Sequence, residues 1–215
     1  MAKKKYLTET EMLEQFRNSF ENAKKQTEIA TIMAEFGYTP EVIAEGELLL
    51  KTARTAYDAN QKEGDETSKA YKDYAKVKEK LEKIYLLDRK KAKVIFSNDP
   101  YAYDELSLAG VVPNAHINFI ELTRKFYNGL LNNPELQSKV ARLKLTQEGI
   151  TKALELIEQV NLLRSEFLKE LGESQLSRKT KDEALAAIEL WMREFYAVAK
   201  IALDDKVKLL KALKG

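Results

Sequence analysis

The chain has 215 residues, of which 44 % are hydrophobic and 33 % charged, and its 36 basic and 34 acidic side chains leave a net charge of +2. Enough apolar material is present for a core, which excludes a wholly disordered chain, and the balanced charge is unlike the one-sided footprint of a dedicated nucleic-acid binder. Zero Cys and a single His exclude a disulfide framework, a thiolate zinc site, a Cys nucleophile and any metal site that needs two imidazoles from one chain.

In chain order, apolar residues recur at three and four positions, the period of a helix packed on one side. Leu13, Phe16, Phe20 and Ala23 form the first stripe, and the capping-box spacing of Thr8 and Glu11 marks its start. Thr39-Pro40-Glu41 opens a second strong helix, with a cap, then Pro in the first turn, then an acid. Ile43, Leu50 and Tyr57 continue it, and Tyr74, Leu81, Tyr85 and Ala92 follow in similar phase. Asn133-Pro134-Glu135 repeats the same start signal, ahead of the stripes Ile150–Ile157–Val160 and Ile188–Trp191–Phe195. Gly37, Gly64 and Gly172 read as stops or turns. The pattern predicts an all-α chain with helices near 8–25, 28–36, 40–63, 68–96, 114–131, 134–144, 147–171 and 177–213.

One constant shift, the one that brings Thr39 onto Thr146, lays one half of the chain on the other. The same shift brings Ile43 onto Ile150, Glu14 onto Glu121, Arg17 onto Arg124 and Phe20 onto Tyr127. The expectation is a tandem duplication of a four-helix bundle with pseudo-twofold halves: residues 1–97, a packed linker at 98–113, and residues 114–215. Trp191 is expected to anchor the second core.

The motifs of common chemistry are missing. No G-x-S-x-G, G-x-x-x-x-G-K-[ST] or G-x-G-x-x-G occurs. The pairs Glu11/Glu14, Glu79/Glu82 and Glu155/Glu158 stand at helical spacing, but their phase turns them to solvent. His116, whose counterpart in the first half is Glu9, reads as a boundary residue. No cofactor, metal or catalytic residue is called for, and catalysis is not the favoured reading.

The most specific polar feature is the repeated i,i+3 pair Glu14/Arg17 and Glu121/Arg124, read first as structural ion pairs and second as interface arginines. Tyr71, Tyr74, Tyr101 and Tyr103 belong to a tyrosine-rich set that suits core edges or a recognition surface. Arg17, Arg124, Tyr71, Tyr74, Tyr101 and Tyr103 are therefore the candidate interaction residues. The lysine run 69–83, broken by acids, reads as a solvated face, and the basic end at 206–215 first as a cap on the bundle through Val207 and Leu210, its lysines complementing the helix dipole, and second as a contact for a membrane surface or an acidic partner.

The function expected is that of a non-enzymatic helical interaction or scaffold module, with an unidentified protein or a second copy of the chain as partner. The alternative is a bundle that binds a small ligand in or between its halves. Specific nucleic-acid recognition is not expected; that class would require a basic stripe despite the balanced totals. No apolar run is long enough for a membrane span, and the Lys- and Glu-rich composition, in a style common among bacterial proteins, suggests the cytoplasm.

Overall fold

The computed structural model describes residues 7–214, and among them the chain is all-α, without a strand. The helices are α1 (Glu9–Lys25), α2 (Thr27–Glu35), α3 (Pro40–Ile95), α4 (Pro100–Glu105), α5 (His116–Asn132), α6 (Pro134–Ala141), α7 (Gln147–Ala202) and α8 (Val207–Lys214). No helix among the described residues is long and apolar enough to cross a membrane. The starts of α5 to α8 follow those of α1 to α4 at one constant offset, the same that relates Thr39 to Thr146. Helices α3 and α7 are also equal in length, at 56 residues each.

Local chemistry accounts for the boundaries. Thr8 and Glu11 form a complete capping box at α1: the Thr8 hydroxyl accepts from the Glu11 amide and the Glu11 carboxylate accepts from the Thr8 amide. Gln26, in an extended conformation, separates α1 from α2. Asn133 caps α6 by accepting from the Glu135 and Leu136 amides. The turn after α2 needs a left-handed residue, which Gly37 supplies at φ +91 without steric cost. The matching turn after α6 places Lys144 at φ +60, where a Cβ is unfavourable.

Three expected boundaries are corrected. Gly64 and Gly172 do not stop their helices, so the segments predicted at 40–63 and 68–96 are the single helix α3, and α7 runs through Gly172 likewise. One glycine costs about 1 kcal/mol in a helix interior, which strong formers on both sides can carry. The last predicted helix, 177–213, instead breaks after Ala202 and restarts at Val207. The expected linker 98–113 contains α4, whose start is capped by Asp99.

The chain forms two compact units, which are not its two halves. Unit 1 comprises Met1–Asp65 and Gly172–Gly215, and unit 2 comprises Glu66–Leu171. A bundle confined to 1–97 would need the chain to turn back near Gly64, and α3 makes no such turn. Each unit thus combines one end of α3 with one end of α7.

In unit 1, α1, α2, α8 and the ends of α3 and α7 enclose a core around Phe20, Ile29, Met33, Ile188 and Phe195. Trp191 belongs here, stacked on Phe195 with ring centroids 5.4 Å apart and met edge-on by Tyr38. It packs with first-half residues, not within a separate second-half core. Gly46 makes this possible, because a Cβ there would lie 2.7 Å from both Trp191 and Phe20. Of the two residues expected to cap the bundle, Leu210 is partly buried and Val207 is exposed; α8 is held instead by buried Leu213 and by the Asn22 amide donating to the Ala212 carbonyl at 2.7 Å.

In unit 2, Tyr85, Phe126 and Tyr127 form an aromatic centre with edge-on contacts between 5.0 and 6.3 Å. The Tyr127 hydroxyl donates to buried Asp88 at 3.1 Å, and Lys91 reaches the same carboxylate at 3.0 Å. Burial, followed by the Asp88 charge, pushes the Tyr127 phenol far above its usual range. Buried Arg89 donates to the Leu108, Ala109 and Gly110 carbonyls at 2.7–3.1 Å, which secures the chain after α4. It thereby satisfies three loop carbonyls that no helix or strand pairs.

Candidate interaction groove

In unit 1, α1 and the start of α3 leave an open groove of about 550 Å³. Leu13, Phe20 and Leu50 form its floor. These are stripe residues, at spacings that place them on the core-facing edge of their helices. The rim is charged: Glu14, Arg17 and Glu21 stand on α1, and Glu47, Lys51 and Arg54 on α3.

Most rim charges are already matched. Arg17 is held between Glu14 and Glu21 on its own helix, with its Nε donating to Glu14 at 3.0 Å. The hydrogen bond and charge of Glu14 raise the guanidinium pKa still further, and the Arg17 hydrogen bond lowers that of Glu14. Glu47 accepts from Lys24 at 3.0 Å. Arg54 pairs with Asp58 at 3.1 Å and lies over the Tyr57 ring, whose hydroxyl is 2.8 Å from Thr10 on α1. Among the described residues Lys51 has no carboxylate partner.

The corresponding place in unit 2 is built differently. Arg124 bonds Glu121 on α5 at 3.0 Å and crosses to Glu158 on α7 at 2.9 Å. Glu158 is the counterpart of Lys51 under the shift that pairs Arg17 with Arg124, so one change of sign converts the open rim of unit 1 into a cross-helix tie. Leu154 replaces Glu47 and packs on the core of unit 2. Both i,i+3 pairs expected from sequence form, but only Arg124 joins two helices.

Tyr71 and Tyr74 meet in unit 2, with centroids 6.5 Å apart. Phe167 of α7 packs against both and stacks on Tyr74 at 5°. Arg164 lies over Tyr74 and Phe167 at 5.4 and 5.8 Å. The Tyr74 hydroxyl is 3.0 Å from His116 Nδ1 at the first turn of α5. Burial raises the Tyr74 phenol pKa. Burial, then the charges of Arg164 and Lys78, lower that of His116. Tyr71 is half exposed, whereas Tyr74 is buried, so only the former offers a surface. Tyr103 packs partly into the unit 2 core, and Tyr101 is 90 % exposed. No ring contact joins either of them to the Tyr71–Tyr74 cluster.

Sequence reasoning missed Lys51 and Arg164, took Glu158 only as a solvent-facing acid, and took Phe167 only as a stripe residue. The shift between the halves carried a signal for Lys51 and Glu158, because it aligns opposite charges at one helical position. No protein-family model, curated protein or solved structure matches the chain.

Proposed function

We propose that the protein is a non-enzymatic interaction module whose unit 1 groove receives a segment of a partner protein. One observation carries this reading: a groove with a charged rim lies open above the half-buried Leu50 and the core residues Leu13 and Phe20, while Arg124 and Glu158 bridge the corresponding helices of unit 2. A floor between two helices suits the apolar edge of an amphipathic segment. Lys51 supplies a charge for an acid on that segment. Arg17 serves as a rim residue already fixed in place, and its role is to keep Glu14 and Glu21 from competing for Lys51. Exposed Tyr71 and Tyr101 remain secondary contact candidates. The setting of this activity is the cytoplasm.

We also infer that residues 1–97 and 114–215 are two copies of one ancestral segment joined through 98–113. The constant shift between helix starts and the matched left-handed turns at Gly37 and Lys144 support this. The two copies then diverged, one keeping an open groove and the other closing it.

The test is a photo-crosslinking residue at position 50, followed by binding measurements on the captured partner with wild type and Lys51→Glu. The variant copies the closed arrangement of unit 2, letting Arg17 reach across to α3. At least a tenfold loss of affinity is expected, with no loss for Lys152→Glu in unit 2. Equal loss in both variants would sink the reading. A thermal-shift panel of organic acids and nucleotides separates the small-ligand alternative: a saturable shift abolished by Lys51→Glu would favour it instead.

A further inference from the structure

The outward face of α3 in unit 2 carries a continuous basic stripe. Lys69, Lys72, Lys76, Lys80, Lys83 and Lys90 follow one another at three, four, four, three and seven residues, so at 100° per residue they share one side of the helix. The core residues Leu81, Tyr85, Ala92 and Phe96 occupy the opposite side. All six lysines are exposed. Lys83 pairs with Glu79, and the other five have no carboxylate partner among the described residues. The acids of this segment do not neutralise the stripe: Asp88 is buried and engaged by Tyr127 and Lys91, Asp73 falls at the margin of the arc, and Glu82 lies well outside it. Leu87 and Val94 lie within the same arc and are 56 % and 69 % exposed.

The stripe belongs to one copy only. The matching positions of the second half hold Leu176, Lys179, Glu183, Ala187, Leu190 and Ala197, a single lysine among six. Solubility would call for no such asymmetry between the halves. The balanced total charge of the chain conceals it.

We propose that this face docks on an anionic lipid surface. Its lysines span about 21 residues of unbroken helix, about 31 Å at 1.5 Å per residue, along a line that a flat surface can touch at every point. Lysine offers a mobile point charge on a long stem, suited to a fluid layer of headgroups and not to fixed bidentate geometry. Leu87 and Val94 project among these charges, where they can enter the headgroup boundary. A nucleic-acid backbone would give those two side chains no partner. This inference is independent of the unit 1 groove.

The test is flotation of the full chain with vesicles of equal parts phosphatidylglycerol and phosphatidylcholine, and with phosphatidylcholine alone, at low and physiological salt. Binding is expected only to the anionic vesicles and is expected to weaken with salt. Lys72→Glu/Lys76→Glu/Lys80→Glu should lose at least tenfold in affinity, and Leu87→Ser/Val94→Ser about threefold. A control with the same charge change elsewhere, Lys152→Glu/Lys200→Glu/Lys208→Glu, should keep at least half of the binding. All substituted positions are exposed, and circular dichroism verifies that each variant folds. Absence of binding to anionic vesicles at low salt, equal loss in the control, or tighter binding to a 20-base-pair duplex that ignores Leu87 and Val94 would each overturn the proposal.

Discussion

The Tyr74 hydroxyl lies 3.0 Å from Nδ1 of His116, fastening the first turn of α5 to α3. At the equivalent place in unit 1, Lys181 of α7 meets Glu9 of α1 at 2.5 Å. The shift that relates the halves carries Glu9 onto His116 and Tyr74 onto Lys181. The same fastening is ionic in one unit and aromatic in the other.

The two fastenings respond differently to pH. The folded-state pKa of His116 is depressed, by burial first and then by Arg164 and Lys78. Position at a helix N-terminus also disfavours the imidazolium. Its contribution to stability is therefore fully present above the unfolded value of 6.5 and declines as pH falls through that value toward the folded one. Lys181 behaves in the opposite sense. Burial pulls its pKa down, but bonds to Glu9 and Asp182 outweigh that and hold it above 10.5, so its contribution persists until alkaline pH. Urea midpoints should fall from pH 8 to pH 5, and His116→Gln should remove much of that dependence. As the chain has a single histidine, one imidazole proton resonance follows the titration directly, with a midpoint expected below 6.5. A midpoint at or above 6.5 would contradict the argument.

The two arginines should differ in worth. Arg17 pairs only along its own exposed helix, whereas Arg124 also joins α5 to α7. Exposed pairs contribute about 0.2–1 kcal/mol. Arg17→Ala should leave stability nearly unchanged, and Arg124→Ala should cost about 0.5–1 kcal/mol. Urea unfolding of both variants decides, and a larger cost for Arg17→Ala would reverse the assignment.

Lys144 holds a left-handed conformation that Gly37 adopts freely in the matching turn. The penalty for a non-glycine residue there is about 1–2 kcal/mol. Glycine also has more freedom to lose on folding, which offsets part of the gain. Lys144→Gly should stabilise the protein by about 0.5–1 kcal/mol, seen as a raised midpoint. Gly37→Ala should lower it.

Gly46→Ala is expected to destabilise despite the better helix propensity of alanine. The added Cβ would stand 2.7 Å from Phe20 and Trp191, both packed rings. Overpacking of this kind costs about 1–3 kcal/mol against a propensity gain of about 1 kcal/mol. Trp191 is the only tryptophan, so its fluorescence reports on unit 1 directly. An unshifted emission maximum with unchanged stability would show that the rings can give way.

What the sequence disclosed follows the range of the interactions involved. The capping box at Thr8, the starts at Asn133 and Pro40, and the apolar stripes are local, and they placed most helices. Gly64 and Gly172 were ambiguous because a glycine both ends helices and is tolerated within them. A Cβ at either position would meet nothing within 4 Å, so close packing does not demand a glycine there. Tyr71 and Tyr74 were visible as candidates, but Arg164 and Phe167 reach them from a distant helix, beyond any periodic signal. In sequence the lysine stripe looks like a mixed-sign face because acids interrupt it, and only the helical phase separates the two signs.

The division of the chain also sets an order of assembly during synthesis. Unit 2 is encoded without interruption, Glu66–Leu171, and can close as soon as that stretch has left the ribosome. Unit 1 is split, so Phe20 and Tyr38 meet Trp191 and Phe195 only after roughly 150 further residues have been made. At roughly 5–20 residues per second, that wait lasts many seconds. Throughout it, α1 and α2 hold an apolar surface that later residues of the chain have yet to cover.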